Sequence, residues 1–158
     1  MKNVLNRKNK LSLYYAWVES ILRYGIELYG VAPDSYVNRL QKTQNKIVKV
    51  LFKNKTETKT SDIYKSENIL NIKQLTSFVC ICNNFFTMKF KAVTPAKSAV
   101  FRKTTYRYDV PKFNNEYGKR TRDYIIPVIF NKLPNYILAT DKLGRLKREL
   151  KKHLINIA

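Results

Sequence analysis

Over the first ninety residues the apolar positions recur at helical spacing. Leu11, Tyr14, Tyr15, Val18, Ile21 and Leu22 fall three or four residues apart, which predicts a helix from Leu11 to about Tyr24, stopped by Gly25. The polar, basic residues 1–10 before it are expected to be frayed. Gly30 to Pro33 reads as a turn, and Asp34 or Ser35 can cap a second helix reaching about Phe52. Its packed face holds Val37, Leu40, Gln44, Ile47, Val48 and Leu51. A polar loop over 54–60 leads to a short helix at Asp62–Glu67, capped by Ser61. A turn at Asn68–Asn71 then keeps Ile69 and Leu70 inside. Asn71, with Gln74 at the capping-box position, opens a third long helix that packs through Ile72, Leu75, Val79, Cys82, Phe86 and Phe90.

The pattern changes at residue 92. Prolines, polar residues and scattered aromatics replace the helical period, and the alternation of Tyr106, Tyr108 and Val110 with Arg107 and Asp109 predicts an extended strand over Thr104–Pro111. Asn114 to Gly118 reads as a turn. Ile125 to Leu133 is expected to be helical from about Pro127 and to end at Leu133-Pro134. Asp141 or Thr140 starts a last helix to about Ile155, with a narrow seam of Leu143, Leu146, Leu150 and Leu154. The expectation is a mainly α protein of several packed helices, with a short extended segment near 104–113. It divides into a frayed start (1–10), a helical region (11–91), an irregular basic and aromatic segment (92–134) and a basic C-terminal helix (135–158).

Composition changes this picture through charge. Apolar residues at 44% and aromatics at 13% suffice to fill a core, but 31 Lys and Arg stand against 11 Asp and Glu, a formal charge of +20. The excess is spread along the chain: 17 basic and 6 acidic residues in 1–99, then 14 and 5 in 100–158. A polyanion relieves such self-repulsion, and nucleic acid is the usual one, ahead of an acidic membrane surface. With no run of 18 apolar residues there is no spanning helix, and no cleavage site follows Leu11–Val18, so neither a membrane partner nor a signal peptide is expected. Two cysteines and no disulfide spacing suggest a reduced, intracellular chain, nuclear or cytoplasmic.

Placed on the predicted helices, the charge forms a row. Arg39, Lys42, Lys46, Lys49 and Lys53 are spaced 3, 4, 3 and 4 apart, opposite the packed face of the second helix, and no acidic residue occurs between Asp34 and Glu57. Ordinary solvated faces mix signs, so this row is the first candidate for phosphate contacts. Five such contacts imply a log–log salt slope of about −4. Lys119, Arg120 and Arg122, within Tyr117-Gly-Lys-Arg-Thr-Arg-Asp-Tyr124, are the second candidate. That segment fits backbone gripping and plain exposed charge on core-packed tyrosines equally well.

Catalytic chemistry finds little support. The five aspartates, at 34, 62, 109, 123 and 141, are isolated, so no paired carboxylates for two metal ions are evident. His153 is the sole histidine, Cys80 and Cys82 diverge by about 200° on a helix, and the four glycines form no phosphate loop. No catalytic residue, metal or cofactor is expected. A missed enzyme site would have to use Asp109, Glu116 and Asp123.

Several segments, in order, resemble the post-palm region of reverse transcriptases from non-long-terminal-repeat retrotransposons, jockey-like elements in particular. They are Leu13-Tyr-Tyr-Ala-Trp-Val-Glu-Ser-Ile-Leu-Arg-Tyr-Gly-Ile26, Leu40-Gln-Lys-Thr-Gln-Asn-Lys46 with Ile47-Val-Lys-Val50, Ile69-Leu-Asn-Ile72, Tyr117–Tyr124, Asn131-Lys-Leu-Pro134 and Leu146–Leu154. The resemblance covers about residues 11–155. It implies thumb-like helices in 11–91 that grip a template–primer duplex beside an upstream palm domain. The sequence departs from the family at Tyr29, often Trp, and carries no palm aspartate pair, so polymerase activity does not carry over. The alternatives are a stand-alone nonspecific RNA- or DNA-binding protein, or a remnant with no present function, which bare apolar surface on the first helix would favour.

Overall fold

The computed structural model describes residues 5–52, 59–90 and 108–157. The fold is mainly α, and no strand occurs among the described residues. The chain divides into two compact units, one of Met1–Thr76 with Leu154–Ala158, the other of Ser77–His153.

The first unit begins with α1 (Arg7–Leu13), earlier than expected. Arg7 anchors this start, donating to the Glu67 carboxylate and to the Ser66 carbonyl, both at 3.0 Å. The expected single helix to Tyr24 is broken by a π-helical turn at Tyr14–Glu19 before α2 (Ser20–Arg23) resumes. An inserted π turn shifts every later side chain around the axis by about one residue. Tyr14 and Glu19 are therefore both buried, while Ile21, assigned to the packed face by regular periodicity, is 72% exposed. Glu19 is neutralised by Arg23 at 2.7 Å. Gly25 ends α2 with φ +68°, a left-handed geometry that glycine adopts without strain. A short α3 (Ile26–Tyr29) and Gly30 lead to α4 (Asp34–Phe52), where Pro33 occupies the capping position and the Asp34 carboxylate instead meets Lys73 at 2.8 Å.

α5 (Thr60–Ser66) closes in a Schellman motif, with Ile69 N–H bonded to the Tyr64 carbonyl at 3.0 Å and Asn68 N–H to that of Lys65 at 3.3 Å. Asn68 takes the left-handed residue, φ +54°, usually given to glycine. The turn delivers Ile69 to a core with Tyr14, Val48 and Ile63, flanked by Leu11, Tyr15, Val18, Leu51, Phe52 and Tyr64. α6 (Ile72–Phe90) then opens with the expected capping box: Gln74 N–H to Asn71 Oδ1 and Asn71 N–H to Gln74 Oε1, both 2.9 Å.

In the second unit α6 buries residues nearly all round, Phe78, Val79, Cys80, Ile81, Asn84, Phe85 and Met88 among them, so its single predicted stripe was too narrow. Cys80 is more buried than Cys82, and Phe86, assigned to the packed face, is 53% exposed. Of the predicted extended segment, 104–107 lie outside the described residues, and 108–113 are non-repetitive and pair with no strand. α7 (Arg122–Asn131) starts five residues before Pro127, which sits within the helix rather than at its head. A proline there removes one donor to the preceding turn. After α8 (Asn135–Leu138), α9 (Leu143–Asn156) buries Leu146 and Leu150 fully, as the leucine seam requires.

Candidate nucleic-acid interface

The buried side of α4 is polar as well as apolar. Gln44, only 1% exposed, donates through Nε2 to the Tyr14 hydroxyl and the Leu70 carbonyl, both at 2.8 Å. Gln41 accepts the Ile72 N–H at 2.9 Å and donates to Asn45 Oδ1 at 2.8 Å, and Tyr64 also donates to that oxygen at 2.9 Å. These amides lock α4 to the turn before α6, and Tyr14, Gln44 and Leu70 are satisfied inside the core. Burial pushes the Tyr14 and Tyr64 hydroxyls far above the usual phenol range. With one side of α4 held this way, the other must face solvent.

That other side carries the predicted row. Arg39, Lys42, Lys46 and Lys49 are all exposed. Lys42, Lys46 and Lys49 form no ion pair among the described residues, and Arg39 lies over the exposed Tyr36 ring at 5.9 Å. Lys53 lies outside the described residues. At about 100° per residue Arg39 and Lys46 make one column and Lys42 and Lys49 a second, roughly 60° away. From Arg39 to Lys49 the helix rises about 15 Å, the rise of about four nucleotides along one strand.

The second candidate group is brought together on the 3₁₀ turn Gly118–Arg120 and the start of α7, and each of its cations has a local contact. Lys119 pairs with Glu116 at 2.7 Å, the Arg120 guanidinium lies 5.9 Å from the Tyr117 ring centre, and Arg122 donates to Asn84 Oδ1 at 2.7 Å. Asn84 is 6% exposed and its Nδ2 donates to the Cys80 carbonyl, so Arg122 satisfies a buried amide. Tyr117 is 81% exposed rather than packed on the core, and Arg122 is engaged by Asn84 rather than plainly exposed.

Residues outside both groups also present charge. On α9, Arg145, Lys147 and Arg148 are exposed and unpaired among the described residues, whereas Lys152 meets Glu149 at 3.7 Å. Their density was visible in the sequence, but the acids at 141 and 149 blurred the one-sign signal that marks α4. Among the described residues no group of three His, Cys, Asp or Glu side chains could hold a metal, and no helix is long and apolar enough to cross a membrane. His153 faces the Tyr136 hydroxyl through Nδ1 at 3.3 Å.

No known protein family, curated protein or solved structure matches the chain.

Proposed function

We propose that this chain grips the phosphate backbone of nucleic acid without reading its sequence, using the outer face of α4. The observation that carries the reading is the combination of Arg39, Lys42, Lys46 and Lys49 on one exposed face with no carboxylate to neutralise the three lysines among the described residues. Such a face loses its self-repulsion only when an external polyanion arrives. Arg145, Lys147 and Arg148 would add to the attraction, as would Arg120, which lies over Tyr117 as Arg39 lies over Tyr36, while Lys119 and Arg122 contribute less because Glu116 and Asn84 already hold them. No step of this function is catalytic.

The resemblance to retrotransposon reverse transcriptases supplies a setting, a thumb-like region beside a polymerase palm. Leu13, Trp17, Ile21 and Tyr24, before the Gly25 break, are exposed, with Trp17 at 70% and Tyr24 at 88%. Bare apolar surface there is what a remnant detached from a covering domain carries, so it weighs for the remnant alternative.

The test is fluorescence anisotropy of a labelled RNA–DNA hybrid across a salt series. The expected log–log slope is about −4, and alanine at each of Lys42, Lys46 and Lys49 should flatten it by about 1. A slope near zero would remove the reading and favour a remnant without function.

A further inference from the structure

Along its polar flank α4 borders an open cleft of about 310 Å³ within the first unit. Asn38 and Asn45 of α4, Thr60 and Tyr64 of α5, and Asn71 and Lys73 at the head of α6 form its walls. The cleft is at the small end of ligand sites, which run from about 300 to 1,000 Å³, and suits one planar ring system rather than a base pair.

Two features distinguish it from a plain surface groove. One is unused hydrogen-bonding capacity on fixed groups. Asn45 Oδ1 is held by Gln41 and Tyr64, and Asn71 Oδ1 by the Gln74 N–H, yet neither Nδ2 has a partner among the described residues. Asn38 uses neither end of its amide among the described residues. Held oxygens orient the Asn45 and Asn71 amides in advance and leave their donors available. The second feature is position. Lys42 is four residues from Asn38 and three from Asn45, and Lys49 is four from Asn45, the spacings that make side chains neighbours on a helix. A phosphate on the Lys42–Lys49 column therefore stands beside the cleft.

We infer that the cleft receives a single unpaired nucleobase of a strand whose phosphates lie along Lys42 and Lys49. This rests on the phosphate-gripping reading of α4 and deepens it, since it makes the preferred ligand single-stranded or locally unpaired. Unstacked bases expose their edges to side chains, and carboxamides match those edges with donor and acceptor groups side by side. The available Nδ2 donors can bond acceptors on a base edge, such as the carbonyl oxygens of uracil, without requiring a particular sequence.

The experiment compares labelled oligouridine with an abasic strand of the same length, binding to the full chain. The intact strand should bind about ten-fold tighter, in the range of one well-held base. Asn38→Ala and Thr60→Val, at side chains without structural partners among the described residues, should each shrink that gap and leave abasic binding unchanged. Lys42→Ala should weaken both strands alike. Equal affinity for the two strands, or a gap untouched by Asn38→Ala and Thr60→Val, overturns the cleft inference while a retained salt slope leaves the backbone reading standing. Loss of the salt slope for both strands overturns the two together.

Discussion

The side-chain amide of Asn131 pairs with the backbone of Tyr108 at both ends: Tyr108 N–H donates to Oδ1 at 2.8 Å and Asn131 Nδ2 donates to the Tyr108 carbonyl at 2.9 Å. One residue at the end of α7 thus does for the segment near 108 what a neighbouring strand would do, and the Tyr108 ring, 7% exposed, meets Phe130 edge to face at 5.4 Å. Asn131→Leu should strand both backbone groups and cost about 2–3 kcal/mol in urea unfolding. Hydrogen exchange at the Tyr108 amide should accelerate along with it. An unchanged exchange rate would show that the amide does not hold the segment.

Gln44→Leu keeps the side-chain volume but leaves the Leu70 carbonyl and Tyr14 hydroxyl without their shared donor. The expected loss is about 2–4 kcal/mol, larger than for Gln41→Ala, because Gln44 is the more buried of the two. Comparable midpoints for the two variants in denaturant titrations would contradict this ranking.

Gly30 has no room for a side chain. A Cβ there would stand 2.2 Å from Thr76 Oγ1 and 2.5 Å from the Ile26 carbonyl oxygen. Gly30→Ala should lower stability by about 1–3 kcal/mol. Adding Thr76→Ala should restore only part of it, since the backbone oxygen remains. Full rescue in thermal unfolding would place the whole clash on Thr76.

Alkaline pH should act through Tyr14 and Tyr64. Burial favours their neutral forms, and for Tyr14 the nearby Glu19 charge adds to it against the Gln44 hydrogen bond. Their folded-state values lie above the usual value of about 10, so the unfolded chain releases these protons first. Their contribution is complete below pH ~10 and is lost as pH rises above it. Phenolate absorbance should show these two tyrosines ionising only with unfolding, and Tyr14→Phe should flatten the alkaline limb.

Acid should act at two exposed pairs. The Lys73 ammonium beside Asp34 and the Lys119 ammonium beside Glu116 hold those carboxyls below the ordinary carboxylate range. Each contribution is present above the unfolded-state value and disappears as pH falls through the lowered one. Carboxyl-carbon NMR should find each titrating below the ordinary value of its own residue type, and Lys73→Ala should return Asp34 to its ordinary value. Exposure and salt screening keep the effect on stability small.

Features that depend on neighbours a few residues away were legible from the sequence alone. The Asn71–Gln74 capping box, the Gly25 stop, the leucine seam of α9 and the two-faced pattern of α4 each follow from local geometry, and each is found, save that Leu40 of the α4 packed face is 36% exposed. The mainly α class follows from the same periodicities. Tertiary structure decided what depends on distant partners. Gln41 and Gln44 look like ordinary helix residues until Ile72 and Leu70, 31 and 26 residues on, arrive to meet them. The π turn at Tyr14–Glu19 buries Tyr14 and Glu19 and leaves Ile21 72% exposed, against regular periodicity. The cleft beside Lys42 joins three helices that a linear pattern cannot bring together. A chain's period fixes which face of a helix is apolar, but only packing determines which polar groups on that face find partners and which are left to meet a ligand.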